Sequence, residues 1–429
     1  FCWLFVSYGL LPNTQESSFA IIMLMVIASL IFILNNKDTS PFKWIQVNWK
    51  HVFFSEMIFL LSFAFWAFIR ATNPQIVGTE KPMELAFINA ILRSPVFPPA
   101  DPWLSGYSIS YYYFGYIIIA WLSYITGTTS SVAYNLAIAM VFALTASNAQ
   151  SILFALLSQK QLKIDGSRKK NSGLRKYALS LLAPIFILIV SNSEGLLEIL
   201  HNQGVFWNQT TKQSTVWSLI DIKELNQAPN PPYLLEPEIS GRTWWWRASR
   251  VLEDETALGE SREIINEFPF FSFWLADLHP HVLAIPVILV LIALGLVVFW
   301  TKHENHGNSL YLRVLYANPI FWAISFTFGI IAFTNMWDLP VCLLFIFGTL
   351  LFNQGTKRIR FAEIKRSLVF VLLSVINGVI LVLPFFLGFA SQAGGVLPSM
   401  LFFTKSSHFL VMFIPLLVPI FSFYWTHRS

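Results

Sequence analysis

The sequence predicts an all-α fold, a polytopic transmembrane helix bundle of about 10–12 spans, and three observations carry that prediction. Hydrophobic residues make up 55% of the 429 positions and charged residues only 12%, where a soluble domain carries about a quarter charged. Mean hydropathy is +0.59. Apolar stretches of the ~17–25 residues that cross a hydrocarbon core as helix recur along the chain. These runs are continuous rather than alternating, which excludes a membrane β-barrel.

The spans fall at about 1–12, 18–36, 53–70, 110–127, 132–158, 177–191, 282–300, 318–334, 339–354, 367–390 and 407–425. The chain opens at Phe1, without methionine and inside an apolar run, so it reads as a fragment or processed chain. Cys2 and Cys342 both sit in apolar runs, and two such residues make neither a zinc site nor a disulfide framework. The whole of 1–429 reads as one integral-membrane domain with two elaborated outer loops, 71–109 and 192–281.

Charge orients the chain. Loop 159–176 holds seven Lys and Arg against Asp165, and loop 355–366 holds five against Glu363, which marks both as cytoplasmic. Counting onward puts 192–281 on the extracytoplasmic face of a plasma membrane. Loop 37–52, with Lys37, Lys43 and Lys50, also reads as cytoplasmic and puts 71–109 outside. Three single spans then separate loops that should share a side. The expected remedy is a break in 132–158 around Thr145–Gln150, the other a re-entrant piece within 71–109. The net charge of +5 resides in these short loops, so it signals topology and a membrane-lipid environment, with no nucleic-acid partner.

The first outer loop carries Glu80, Glu84 and Asp101. Thr79 is placed to cap a helix that tolerates Pro82 in its first turn and stops before Pro95. Leu85, Ile88 and Leu92 share one face of it, as in a helix lying on a membrane surface. Glu80 and Glu84, four apart, share a face near the positive helix start. Paired carboxylates there bind a divalent cation (Mg or Mn) or a sugar hydroxyl, and one can act as general base; the plainer reading is two solvated helix-start acids. Asp101 follows the stiff Pro98-Pro99 turn. Tyr107, Tyr111, Tyr112 and Tyr113 enter the next span, where tyrosines commonly anchor at the interface.

The second outer loop holds thirteen of the 23 acids. Its segment Arg242–Arg250 places Arg247 and Arg250 among tryptophans, which suits phosphate oxygens and sugar rings, or interfacial anchoring. Asp277, His279 and His281 stand within five residues at a span entrance, a grouping used for metal ligation or acid–base work. With Glu80, these three are the candidate ligands of a metal ion. Trp337-Asp338 adds Asp338 from a short loop on the same side.

The stretches GTEKPMELAF, SPVFPPADPWLSGYSISYYYFGY, WWRASRV, NEFPFFSFWLADLHPHV and TNMWDLP resemble the uncharacterised YYY family of polytopic membrane proteins, over a module of about 53–345. Where that family has Asp after the methionine of its EKxM stretch, this chain has Glu84. The family is in turn similar to GT-C glycosyltransferases, which take sugars from polyprenyl-phosphate donors and carry an acid on a juxtamembrane helix of the first outer loop. The Asp-Glu pair familiar there is replaced by Glu80-Lys81.

The resemblance implies a GT-C-like fold and a glycosyltransferase moving a sugar from a polyprenyl-phosphate donor to a hydroxyl acceptor. Glu80 or Glu84 would be base and Asp101 a ligand of cation or acceptor. Lys81, Tyr111, Tyr112, Arg247, Arg250, Asp277, His279, His281 and Asp338 would bind substrate. The competing readings are a transporter or flippase, which would place ionisable groups at mid-span, and a non-catalytic envelope-assembly protein.

Overall fold

Long runs without glycine or proline, in a chain this apolar, leave helix as the way to satisfy backbone polar groups. The computed structural model describes residues 1–35, 41–164, 172–190, 192–223, 225–229, 244–256, 258–301, 315–353, 359–390 and 402–426. The expectations for 301–317 and 391–406 rest largely, and those for the basic loops 159–176 and 355–366 partly, outside the described residues. Contacts group the chain into two compact units, Phe1–Pro184 with Ala276–Ala393, and Ile185–Leu275 with Gly394–Ser429.

The first unit contains α1 (Cys2–Ser7), α2 (Gln15–Asn35), α3 (Pro41–Thr72), α4 (Lys81–Arg93), α5 (Phe114–Thr126), α6 (Ser130–Ile164) and α7 (Ser172–Ser180). α8 (Leu182–Leu188) begins at its edge, and α9 to α12 belong to the second unit. The first unit resumes with α13 (Pro280–Trp300), α14 (Pro319–Thr334), α15 (Leu339–Phe352), α16 (Phe361–Leu381) and α17 (Leu383–Gly388). Among the described residues six helices are long and apolar enough to cross a membrane: α2, α3, Ser130–Gln159 of α6, α13, α16 and α18 (Ser406–Thr426). The expected all-α polytopic membrane architecture is therefore present.

Several boundaries differ from the expectation. The break around Thr145–Gln150 is absent: α6 is one helix, with no glycine or proline to interrupt it and the Thr145 hydroxyl donating to Val141 O at 2.8 Å. Most of loop 37–52 is helical: Pro41–Thr72 is helix on both sides of a kink at Asn48, whose φ −106° and ψ 17° leave the helical range. Span 110–127 shortens to the 13 residues of α5, about 20 Å of helix against a core of about 30 Å. Span 177–191 splits into α7 and α8, because Pro184 has no N–H to give the carbonyl of Ser180. Pro384 does the same to Ile380 and divides 367–390 into α16 and α17. The first apolar run is a six-residue helix, α1, whose Trp3 packs on Phe333 at 4.7 Å.

α13, α14, α15 and α16 share one apolar core built on Leu291, Phe321, Ile324, Phe328, Ile346 and Phe370. With lipid outside as apolar as leucine, close packing has to replace the hydrophobic effect as the force between helices, and small residues permit it. α14 and α16 touch backbone to backbone at Gly329 and Gly378, where a methyl on Gly329 would lie 2.5 Å from the Gly378 carbonyl oxygen. α3 meets α6 with Trp66 stacked on Phe142 at 4.2 Å, both buried.

The second unit contains α9 (Glu194–Asn202), α10 (Thr215–Ile220), α11 (Trp244–Ala248), α12 (Pro269–Leu275) and α18. It also holds an antiparallel sheet of β1 (Glu253–Thr256), β2 (Ser261–Glu263) and β3 (Phe402–Thr404), in order β2-β1-β3. Glu253 pairs with Glu263 and Asp254 with Thr404. The acids of this loop are spent partly on structure: Lys405 bridges Asp221 and Glu255, each at 2.6 Å. The buried His408 accepts from Glu253 N through Nδ1 at 3.2 Å and donates from Nε2 to Asp221 O at 2.9 Å.

Gly329→Ala and Gly378→Ala should each lower the melting temperature of the purified protein in detergent, because a Cβ meets backbone that cannot rotate away; overpacking of this kind costs about 1–3 kcal/mol. Gly348→Ala, with no atom within 4 Å of its Cβ, is the matched control and should change little.

Candidate functional site

The chain enters α4 through two left-handed residues, Gly78 (φ +75°) and Thr79 (φ +51°). Thr79 is thus part of a turn and not the cap; Glu80 takes that position, without a side-chain hydrogen bond, and Pro82 occupies the first turn. The buried stripe is Glu84, Phe87, Ile88 and Ile91, shifted from the expected Leu85, Ile88 and Leu92. The sequence supports either stripe, and what selects this one is that Glu84 finds partners inside the protein.

Glu84 is 0% exposed. Its Oε2 accepts from the Tyr134 hydroxyl of α6 at 2.5 Å and from Leu278 N at 3.0 Å. Its Oε1 accepts from the Tyr116 hydroxyl of α5 at 3.5 Å. Leu278 is brought there by the chain reversal before α13, where Ala276 adopts φ +63°. A non-glycine residue in that region costs about 1 kcal/mol or more and persists only where its surroundings hold it. Here the Tyr134 hydroxyl also lies 3.1 Å from Ala276 O.

The same reversal delivers Asp277, buried at 6% exposure, and His279, the residue capping α13 ahead of Pro280. Glu84, Asp277 and His279 each present a ligand atom, and these atoms all lie within 4.8 Å of one another. Nδ1 of His279 is 3.1 Å from Glu80 Oε2 and 3.9 Å from Glu84 Oε1. Its Nε2 is 3.3 Å from the Tyr111 hydroxyl. The His281 ring stands 5.1 Å from that of His279. Glu80, half exposed, marks the open flank and Glu84 the closed one.

Burial, then the hydrogen bond and charge of Asp277, push the Glu84 carboxyl up to about 9, against the lowering pull of Tyr134 and Leu278 N. At neutral pH Glu84 therefore holds a proton, and the pair carries one fewer negative charge than its composition suggests. Asp277 Oδ1 is buried with no hydrogen-bond partner among the described residues. Burial raises the Tyr111 phenol, and the charges of Glu80, Glu84 and Asp277 raise it further. Burial lowers Lys81, as does the charge of Arg70, while Asp277 and Glu84 oppose the shift.

Of the expected site residues, Glu80, Glu84, Tyr111, Asp277 and His279 come together, with Lys81 in their field and His281 beside them. Asp101 does not join by any hydrogen bond: its Oδ1 accepts from Trp103 N (2.8 Å) and Leu104 N (2.9 Å) and closes a turn. Tyr112 packs on Phe389 at 5.2 Å. Asp338 accepts from the Asn335 amide at 2.9 Å in the turn before α15. Arg247 and Arg250 belong to the second unit; Arg247 pairs with Glu198 at 3.1 Å, and Arg250 lies 3.6 Å over the Trp246 ring and 3.8 Å from Glu263. Tyr116 and Tyr134 were missed, since nothing local separates a tyrosine that buries its hydroxyl on a carboxyl from one that anchors a helix.

The carboxyl with a raised pKa has a stability signature. Below about pH 4.5 both folded and unfolded chains protonate Glu84; above it the unfolded chain loses the proton first, so folding stability falls with rising pH until about 9. Glu84→Gln should flatten that part of the stability–pH curve and melt above the wild type near pH 8. A wild-type curve already flat from pH 5 to 9 would overturn the buried protonated carboxyl.

The family model described as Uncharacterized membrane protein (DUF2298) matches residues 1–428. No curated protein and no solved structure matches the chain. The chain belongs to the DUF2298 family of uncharacterised membrane proteins.

Proposed function

We propose that this multi-pass membrane protein is a GT-C-like glycosyltransferase, moving a sugar from a polyprenyl-phosphate donor to a hydroxyl acceptor on the extracytoplasmic face. The observation that supports the reading is the convergence of Glu80, Glu84, Asp277 and His279 from two loops nearly two hundred residues apart, one flank open and the other closed. In the reaction the acceptor oxygen attacks the anomeric carbon, the carbon–oxygen bond to phosphate breaks, and polyprenyl phosphate leaves with the electron pair. Glu80, on the open flank, takes the acceptor proton, and Tyr111 and Glu80 fix the His279 ring from its two nitrogens.

Glu84, Asp277 and His279 fit a divalent cation: two carboxylates and an imidazole suit Mn better than the all-oxygen preference of Mg, and Asp277 Oδ1 is buried without a hydrogen-bond partner among the described residues. When bound, such an ion supplies positive charge to the departing phosphate. Glu84 has to release its proton to ligate, so cation affinity should rise with pH.

With purified protein and a polyprenyl-phosphate sugar, Glu80→Gln should cut the rate by ~10²–10⁴-fold while donor affinity holds. Asp277→Asn and Glu84→Gln should instead raise the Mn²⁺ concentration needed for half-maximal rate. Full activity in Glu80→Gln ends the base assignment. A proton-coupled transporter is the second reading, favoured by the enclosure of Glu84 among Tyr116, Tyr134 and Asp277, the kind of buried relay found in transporters. Failure of every lipid-phosphate sugar to react, together with pH-gradient-driven uptake in vesicles, would select it.

A further inference from the structure

Arg70, near the end of α3, is 6% exposed. Its Nε donates to Asn135 Oδ1 at 2.9 Å, and one terminal nitrogen reaches Gln75 O at 3.5 Å. No carboxylate pairs with it among the described residues, whereas Arg247 has Glu198 and Lys405 has Asp221. A guanidinium offers five N–H donors and stays charged, and a buried cation without an anion is costly. Both partners are neutral, which leaves the charge uncompensated.

Arg70 lines an open groove of about 340 Å³ between the end of α3 and the start of α6, whose lining residues Val132 and Leu136 are exposed, within the ~300–1,000 Å³ of ligand pockets. Ala67, Ala71, Val132 and Leu136 form its apolar walls, and Asn135 is the polar neighbour of the guanidinium. Both helices that frame it are long and apolar enough to cross a membrane. A ligand matching this lining has a compact anion at one end and a hydrocarbon chain at the other.

We propose that this groove binds the phosphate group of a membrane lipid, with the phosphate on Arg70 and the first carbons of the chain along the α3–α6 walls. Guanidinium–phosphate pairing is bidentate and charge-assisted, and the narrow framing by two helices suits a single isoprenyl or acyl chain. The inference concerns binding and does not depend on the transfer reaction.

Calorimetric titration of the full chain in detergent with farnesyl phosphate tests it, with farnesol, inorganic phosphate and a short-chain phosphatidic acid as parallel arms. Farnesyl phosphate should bind at least tenfold tighter than farnesol or inorganic phosphate, and Arg70→Gln should lose that advantage. Because Arg70 also ties α3 to α6, Ala71→Leu, which fills the groove and leaves Arg70 in place, is the second variant. It should weaken binding comparably at an unchanged melting temperature. Phosphatidic acid binding with the same dependence on both variants assigns the site to a phospholipid and supports the proposal. Farnesol binding as well as farnesyl phosphate, or binding untouched by Ala71→Leu, overturns it.

Discussion

The enclosed carboxyl of Glu84 is the interaction on which the rest of the first unit's site depends. It gathers a hydroxyl from α5, a hydroxyl from α6 and a backbone N–H from the segment ahead of α13 around one side chain of α4. A buried carboxyl left without donors costs several times what an ordinary hydrogen bond contributes. These partners therefore fix the rotation of α4, and with it the stripe that α4 buries. Once that rotation is set, Glu80 falls one turn away on the exposed side, within reach of His279.

The same burial decides the chemistry. Placing two carboxyls close together in a low dielectric keeps one of them protonated, and here desolvation is the larger cause and Asp277 the next. The left-handed Ala276 is the backbone cost of aiming Asp277, Leu278 N and His279 at one point, and its carbonyl lies 3.1 Å from the Tyr134 hydroxyl. Strain and desolvation thus meet at the same few residues, as they do where structure is arranged for function.

The arginines divide by what surrounds them. Arg247 and Arg250, the ones that stand out in the sequence because tryptophans flank them, are already occupied by Glu198, Trp246 and Glu263. Arg70 sits in an apolar helix with no local signature, yet the partners of its guanidinium among the described residues are neutral. Counting acids and bases along a loop cannot separate these cases, because ion pairing is settled by folding.

The sequence by itself determined the class of the protein: composition and run length leave room for little but membrane-spanning helices, since backbone polar groups in lipid have to be satisfied within the segment. It also singled out Glu80, Glu84, Asp277 and His279, because charged groups clustered at span entrances are conspicuous against so apolar a chain. Tertiary structure decided where the helices break. Pro184 and Pro384 divide runs that hydropathy reads as continuous, and α6 continues where the loop charges called for a break. It decided that Asp101 closes a turn while Tyr116 and Tyr134 face a carboxyl. The gathering around Glu84 depends on contacts between residues 32 to 194 positions apart, and no local pattern encodes which distant hydroxyl or amide will meet a given side chain.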